Sequence, residues 1–342
     1  VAGAARTLPK GAGWLKTLTW GWLVLTIVGS LALVFSHASL YTAEILYLVI
    51  LIGMTALSIA RYIVLPRRRR GKARRLIILL MGLVLLYVAL ASGRGNMQLE
   101  GLLFALLISL THPSVIHFAL AKILGPFGFG RLWCGWACWF AAVFDQLPYS
   151  RSRGRLHGAW GHLRYLGFAI SVGLVVLLWH DYRYTDGADG RDGLLWFLAG
   201  LALYLASGVA LAYALKDNRA FCKYLCPNSV LLKTGAHLSP LRVGGDASRC
   251  NDCGACNLIC PMDIRISDYI QQGQRVLSTE CTLCQTCVWA CPKDALALSF
   301  AFDPAHDERL RLRHQHPHLD WIRGLKLRRL GLPWKRPSLH DL

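Results

Sequence analysis

Eight of the twelve cysteines stand in two matching runs. Cys250, Cys253, Cys256 and Cys260 are followed by Pro261, and Cys281, Cys284, Cys287 and Cys291 by Pro292. Both runs read C-x2-C-x2-C-x3-C-P, and the second repeats the first 31 residues later at every cysteine; Asp263 and Asp294 match at the same offset. In this spacing three close thiolates converge on one iron–sulfur cube, while the fourth cysteine lies too far along the chain and reaches the other cube. Cys250, Cys253, Cys256 and Cys291 are therefore expected to hold one [4Fe–4S] cluster, and Cys281, Cys284, Cys287 and Cys260 a second. Zinc favours closed four-cysteine tetrahedra without this crossing, and disulfides suit an oxidising compartment.

The other four cysteines form a second, less obvious repeat. Arg131, Trp133, Cys134, Trp136 and Cys138 align at an offset of 88 with Arg219, Phe221, Cys222, Tyr224 and Cys226. On a helix, residues i and i+4 share a face, so each C-x3-C would present two thiols together, and two such faces would offer four. Three readings fit: a third iron–sulfur cluster, which we favour; a redox dithiol or transient metal site; or buried cysteines acting as small apolar residues. Arg131 and Arg219 would offset the negative charge of a bound cluster and raise its potential. The bland alternative for them is snorkelling to lipid headgroups.

These residues need elements to carry them, and the composition says which. Of 342 residues 54% are hydrophobic and only 17% charged, against about 25% charge in an ordinary soluble domain. Apolar runs long enough to cross a bilayer occur at 18–35, 43–65, 76–92, 99–124, 163–180 and 193–215. The fourth is broken by Thr111, His112, Pro113 and His117, which suggests a kinked span or a re-entrant pair. The first is read as an anchor rather than a cleaved signal. Basic residues cluster in 1–17, 66–75 and 125–161, while the alternate loops hold few. By the positive-inside rule, six spans with both termini cytoplasmic satisfy every loop. The formal net charge of +19 then reads as a topology and lipid signal rather than a nucleic-acid footprint.

With the motifs in place, the chain resembles the membrane-bound polyferredoxins: the NapH and MauN proteins, the C-terminal half of NosR, and CcoG-like [4Fe–4S] membrane proteins. The resemblance rests on the double ferredoxin motif and the paired C-x3-C segments after apolar spans, over roughly 99–300. It implies electron transfer between a quinone pool, the membrane and partner reductase or dehydrogenase subunits. The expected architecture is an integral membrane α-helical bundle of about six spans, in a bacterial inner membrane, with a cytoplasmic two-cluster ferredoxin domain. Residues 1–240 would form the transmembrane part, 241–304 the ferredoxin domain and 305–342 a basic amphipathic tail. CcoG-like relatives suggest an alternative: an assembly or metal-homeostasis factor reducing a metal ion or disulfide at the C-x3-C thiols.

Other residues add less. His37, Glu44, Glu100 and His180 fall at outer span ends, where acids could accept quinol protons; haem ligation by histidines such as His112, His117, His37 and His180 is disfavoured. Trp321, Trp334 and neighbouring leucines alternate with Arg323, Lys326, Arg328 and Arg329, as in an interfacial helix, while His314, His316 and His318 read as solvated. No dinucleotide, phosphate-loop, serine-elbow or zinc-protease signature occurs, so no substrate-converting site of its own is visible.

Overall fold

A computed structural model describes residues 65–91, 96–110, 112–188, 190–303 and 307–313, together with positions 21, 24, 28, 58 and 62. The first two expected spans, His37, Glu44 and the tail beyond 313 lie outside the described residues. The chain divides into two units, Val1–Ile77 and Ile78–Leu342.

The first described helix, α1 (Arg67–Ala91), takes in the third apolar run. The basic stretch expected as a loop is instead its opening turns. Pro66 precedes it without costing a helical N–H, and Arg and Lys are good helix formers.

In the second unit, the fourth apolar run is divided as its polar interruptions require. The short helix α2 (Leu99–Ile108) ends where Ser109 turns extended. Helix α3 (Pro113–Phe118) restarts behind His112, whose ring accepts from the Ser114 N–H, with proline in its first turn. It widens into a π turn, Ala119–Leu124, and continues as α4 (Gly125–Phe129). Two one-turn helices follow, α5 (Leu132–Trp136) and α6 (Trp139–Phe144). The residues from Ser114 to Phe144 are bent by 100° at the break between α4 and α5. The 99–124 run itself is divided earlier, between α2 and α3.

Helices α7 (Leu163–Tyr182) and α8 (Gly190–Leu215) contain the fifth and sixth runs. They are long and apolar enough to cross a membrane, and the bent pair would make up to three among the described residues. Large side chains such as Leu166, Ile170 and Leu203 stand exposed on them, as on surfaces that meet lipid or another protein. Inward, Phe104, Ala105, Val175 and Ala188 form one core cluster and Leu99, Leu102 and Phe118 another. Gly208 on α8 is required by close packing, because a Cβ there would collide with the Phe144 ring.

Helix α9 (Ala220–Tyr224) and helix α10 (Asn228–Ala236) lead into strand β1 (Leu241–Gly245). Three short helices follow: α11 (Ala255–Ile259), α12 (Ile266–Gln271) and α13 (Thr286–Ala290). Strand β2 (Leu296–Phe300) closes the domain antiparallel to β1, with Leu241 opposite Phe300. Residues 307–313 then run back over it: Arg311 pairs with Asp263, and Glu308 accepts from Thr279 and Ser278.

Candidate iron–sulfur site

The 31-residue repeat of the sequence reappears as repeated geometry. Asp252 and Leu283 share a left-handed backbone, as do Gly254 and Gln285, and Asp263 and Asp294. These reversals curl each three-cysteine loop before a one-turn helix. Each fourth cysteine then leaves its helix extended, Cys260 at ψ 116° and Cys291 at ψ 115°. The N–H groups of Ile264 and Ala295, four residues on, donate to their sulfurs at 3.5 and 3.4 Å.

Two hollows of about 350 Å³ result. One is lined by Cys250, Cys253, Cys256 and Cys291. The other is lined by Cys260, Cys281, Cys284 and Cys287. Burial, reinforced by neighbouring sulfurs, pushes Cys256, Cys260 and Cys281 up to about 12. Four such groups become thiolates together only around strongly cationic iron, so the donor sets fit [4Fe–4S] clusters. Among the described residues no three His, Cys, Asp or Glu side chains converge tightly enough for a single metal ion.

The paired C-x3-C segments are also structural repeats, but not as single helix faces. Cys134 and Cys222 sit within α5 and α9, whereas Cys138 and Cys226 lie past their ends. Each helix ends two residues before its second cysteine, so the two thiols of a pair do not share one helical face. Instead the Cys138 N–H turns back to Trp133 O at 3.0 Å, and the Cys226 N–H to Phe221 O at 2.9 Å. The Ser229 N–H donates to the Cys226 carbonyl at 3.2 Å. All four sulfurs are electrostatic neighbours. Burial is the main force raising Cys222, to about 11, and it raises Cys226 further.

Buried cations surround this place. Arg131 and Arg219 are each 1% exposed, which removes the lipid-snorkelling reading. Arg219 makes a two-pronged pair with Asp145 at 2.6 and 2.7 Å and donates to the Cys134 carbonyl at 3.0 Å. Arg131 reaches Glu280 at 3.0 Å. Glu280 also receives Arg155 at 2.9 Å, Arg164 at 3.0 Å and Lys233 at 2.7 Å. Burial alone would raise the Glu280 carboxyl, but Arg155, Arg131, Arg164 and Lys233 outweigh it and hold it well below the usual carboxylate range. Four cations on one carboxylate leave a local positive excess, which suits anionic clusters nearby. Lys223, between Cys222 and Cys226, bridges Asp217 and Asp263. Lys122 on the π turn is buried with its ammonium 4.4 Å from the Trp133 ring centroid.

The second ferredoxin loop packs directly on α5. A Cβ at Gly135 would collide with the Thr282 carbonyl and press on Cys284. The Trp136 indole donates to Leu283 O at 3.0 Å. The Cys250 loop faces away: Asn251, Asp252, Pro292 and Lys293 are exposed, whereas Thr282, Leu283 and Cys284 are buried.

Sequence reading missed Glu280, Asp145, Lys223 and Lys122. Glu280 had a signal: it stands where the first copy of the 31-residue repeat has the exposed Arg249. Asp145 and Lys122 had none, because ordinary spacing does not reveal a partner many residues away. Of the outer-end candidates, His180 is exposed beside Asp181. Glu100 is buried on α2, accepting from Ser171 and Tyr204 at 2.6 Å each.

Comparison with known proteins adds to this geometry. A family described as "4Fe-4S dicluster domain" matches residues 249–296. A second, "4Fe-4S binding domain", matches twice, at 111–155 and 198–242, one match over each C-x3-C segment. The chain is 37% identical over 111 residues to YccM of Escherichia coli, whose name gives electron transport as a provisional role; this covers 32% of the chain and 30% of YccM. It is 29% identical over 181 residues to the uncharacterized protein MJ0749 of Methanocaldococcus jannaschii, covering 50% of the chain and 65% of that protein. It is 24% identical over 186 residues to the ferredoxin-type protein NapH of Haemophilus influenzae, covering 51% of the chain and 63% of that protein. The chain thus spans under two thirds of each. No solved structure matches it. The matches support the resemblance to membrane polyferredoxins and the presence of iron–sulfur clusters.

Proposed function

We propose that this chain, a membrane iron–sulfur protein similar to the polyferredoxins, relays electrons between a cytoplasmic redox partner and the membrane, where quinone or a partner subunit exchanges them. The clusters supply one-electron transfer; the chain's residues hold, space and insulate them. In this reading Cys250, Cys253, Cys256 and Cys291 form the outer site, and Cys281, Cys284, Cys287 and Cys260 the inner one. Cys134, Cys138, Cys222 and Cys226 hold a third cluster at the membrane edge. Six spans with both termini cytoplasmic, in a bacterial inner membrane, complete the proposed topology. The limits 1–240, 241–304 and 305–342 remain the proposed domain plan.

The observation that carries the reading is the packing of the Thr282–Leu283–Cys284 segment on Gly135 and Trp136. It places the inner ferredoxin loop against the first C-x3-C segment, while the Cys250 loop is left exposed. That order suits a relay that runs from solvent to membrane. The assembly-factor alternative asks the C-x3-C thiols to reduce a metal ion or a disulfide instead.

Electron paramagnetic resonance of anaerobically reduced protein tests the relay. Spin coupling between the inner cluster and a third centre is expected, and it should vanish when Cys134, Cys138, Cys222 and Cys226 are changed to Ser. Identical spectra from both proteins would reject the relay.

A further inference from the structure

We propose that Lys122 is the charge that tunes the Cys134, Cys138, Cys222 and Cys226 site, its ammonium fixed over the Trp133 ring so as to favour a reduced, anionic centre there. The proposal rests on the third-cluster reading above and adds to it a residue that no cysteine spacing identifies.

Lys122 lies in the π turn Ala119–Leu124. Such turns redirect side chains and recur at functional sites. The side chain is buried, with its Nζ 4.4 Å from the Trp133 centroid and 6.0 Å from that of Phe118. Trp133 adjoins Cys134, so the ring ties the ammonium to the segment that carries the first thiol pair. Arg131, Arg155, Arg164, Arg219 and Lys223 are buried too, and each reaches a carboxylate. Lys122 has no carboxylate within ion-pair distance among the described residues. An aromatic face offsets only part of an ammonium's desolvation. Burial is the strongest influence on the ammonium, and the sulfurs of Cys138, Cys134 and Cys226, beside the Trp133 ring that it covers, oppose it. A buried cation whose opposite charge is a set of thiolates is stabilised when a four-thiolate cluster is bound. It is stabilised further when that cluster gains an electron, so it raises the potential.

The test is a potentiometric titration, read by electron paramagnetic resonance, of wild-type protein and the Lys122→Met and Lys122→Arg variants, with iron counted in each. Lys122→Met should move the third centre to a more negative potential while the two ferredoxin signals stay in place, and Lys122→Arg should restore most of the shift. Loss of about four irons in Lys122→Met alone, with Lys122→Arg retaining them, also supports the proposal, because it makes charge the requirement for loading. An unmoved potential with full iron in Lys122→Met would overturn it, as would equal iron loss in both variants, which would mark a packing role. A wild type with only about eight irons would sink the third-cluster reading and this proposal together. That failure is distinguishable because both variants would then match the wild type.

Discussion

Glu280 concentrates the electrostatics of the molecule on one carboxylate. Its side chain is 2% exposed and it meets Arg131, Arg155, Arg164 and Lys233. Removing one partner of a buried ionic network costs about 3–5 kcal/mol, because the remaining charges stay desolvated. Glu280→Gln should therefore lower the unfolding midpoint strongly in detergent. The pH dependence has a fixed sign. The folded-state carboxyl lies well below its unfolded value of about 4.3, so its stabilisation is complete above that value. It is lost as pH falls below it toward the folded value. The stability gap between wild type and Glu280→Gln should hold from pH 8 to 5 and shrink in stronger acid; a gap that widened in acid would contradict the assignment. Glu280 was legible only as a break in a repeat, since its four partners come from segments distant in sequence.

At the scale of elements, the two repeats differ in what they disclosed. The eight-cysteine repeat was readable as far as which cysteines line each hollow, because the loop spacing dictates which thiols can converge; that these sets ligate clusters is the proposal. The C-x3-C repeat was readable in alignment but not in shape. The expectation of one helix face gave way to one-turn helices that end before the second cysteine; Cys138 there is extended, as Cys260 and Cys291 are. Helices α7 and α8 followed directly from uninterrupted apolar runs, whereas the run at 99–124 broke at Ser109 and Pro113, as proline and local side-chain bonding dictate. Two glycines make the packing testable. Gly208→Ala would press on Phe144 and should cost about 1–3 kcal/mol by overpacking, measured as a lower unfolding midpoint. Gly135→Leu should push Thr282 and Cys284 off α5. Stopped-flow reduction should then show the outer ferredoxin site filling at a normal rate and the third site slowly. Normal rates at all three would break the link between that contact and the relay.

Across the whole molecule, the long apolar helices and the ferredoxin part meet through buried charge. The +19 of the chain is not all surface charge: several of its cations are buried around the sulfur sites, where composition alone cannot place them. Twelve cysteines in three four-thiol sets would hold three clusters. Iron and acid-labile sulfide per chain, on anaerobically purified protein, give the measurement, beside a variant with Cys134, Cys138, Cys222 and Cys226 changed to Ser. About 12 irons are expected, falling to about 8 in the variant. About 8 irons in both would contradict it, leaving the four membrane-edge thiols without a cluster.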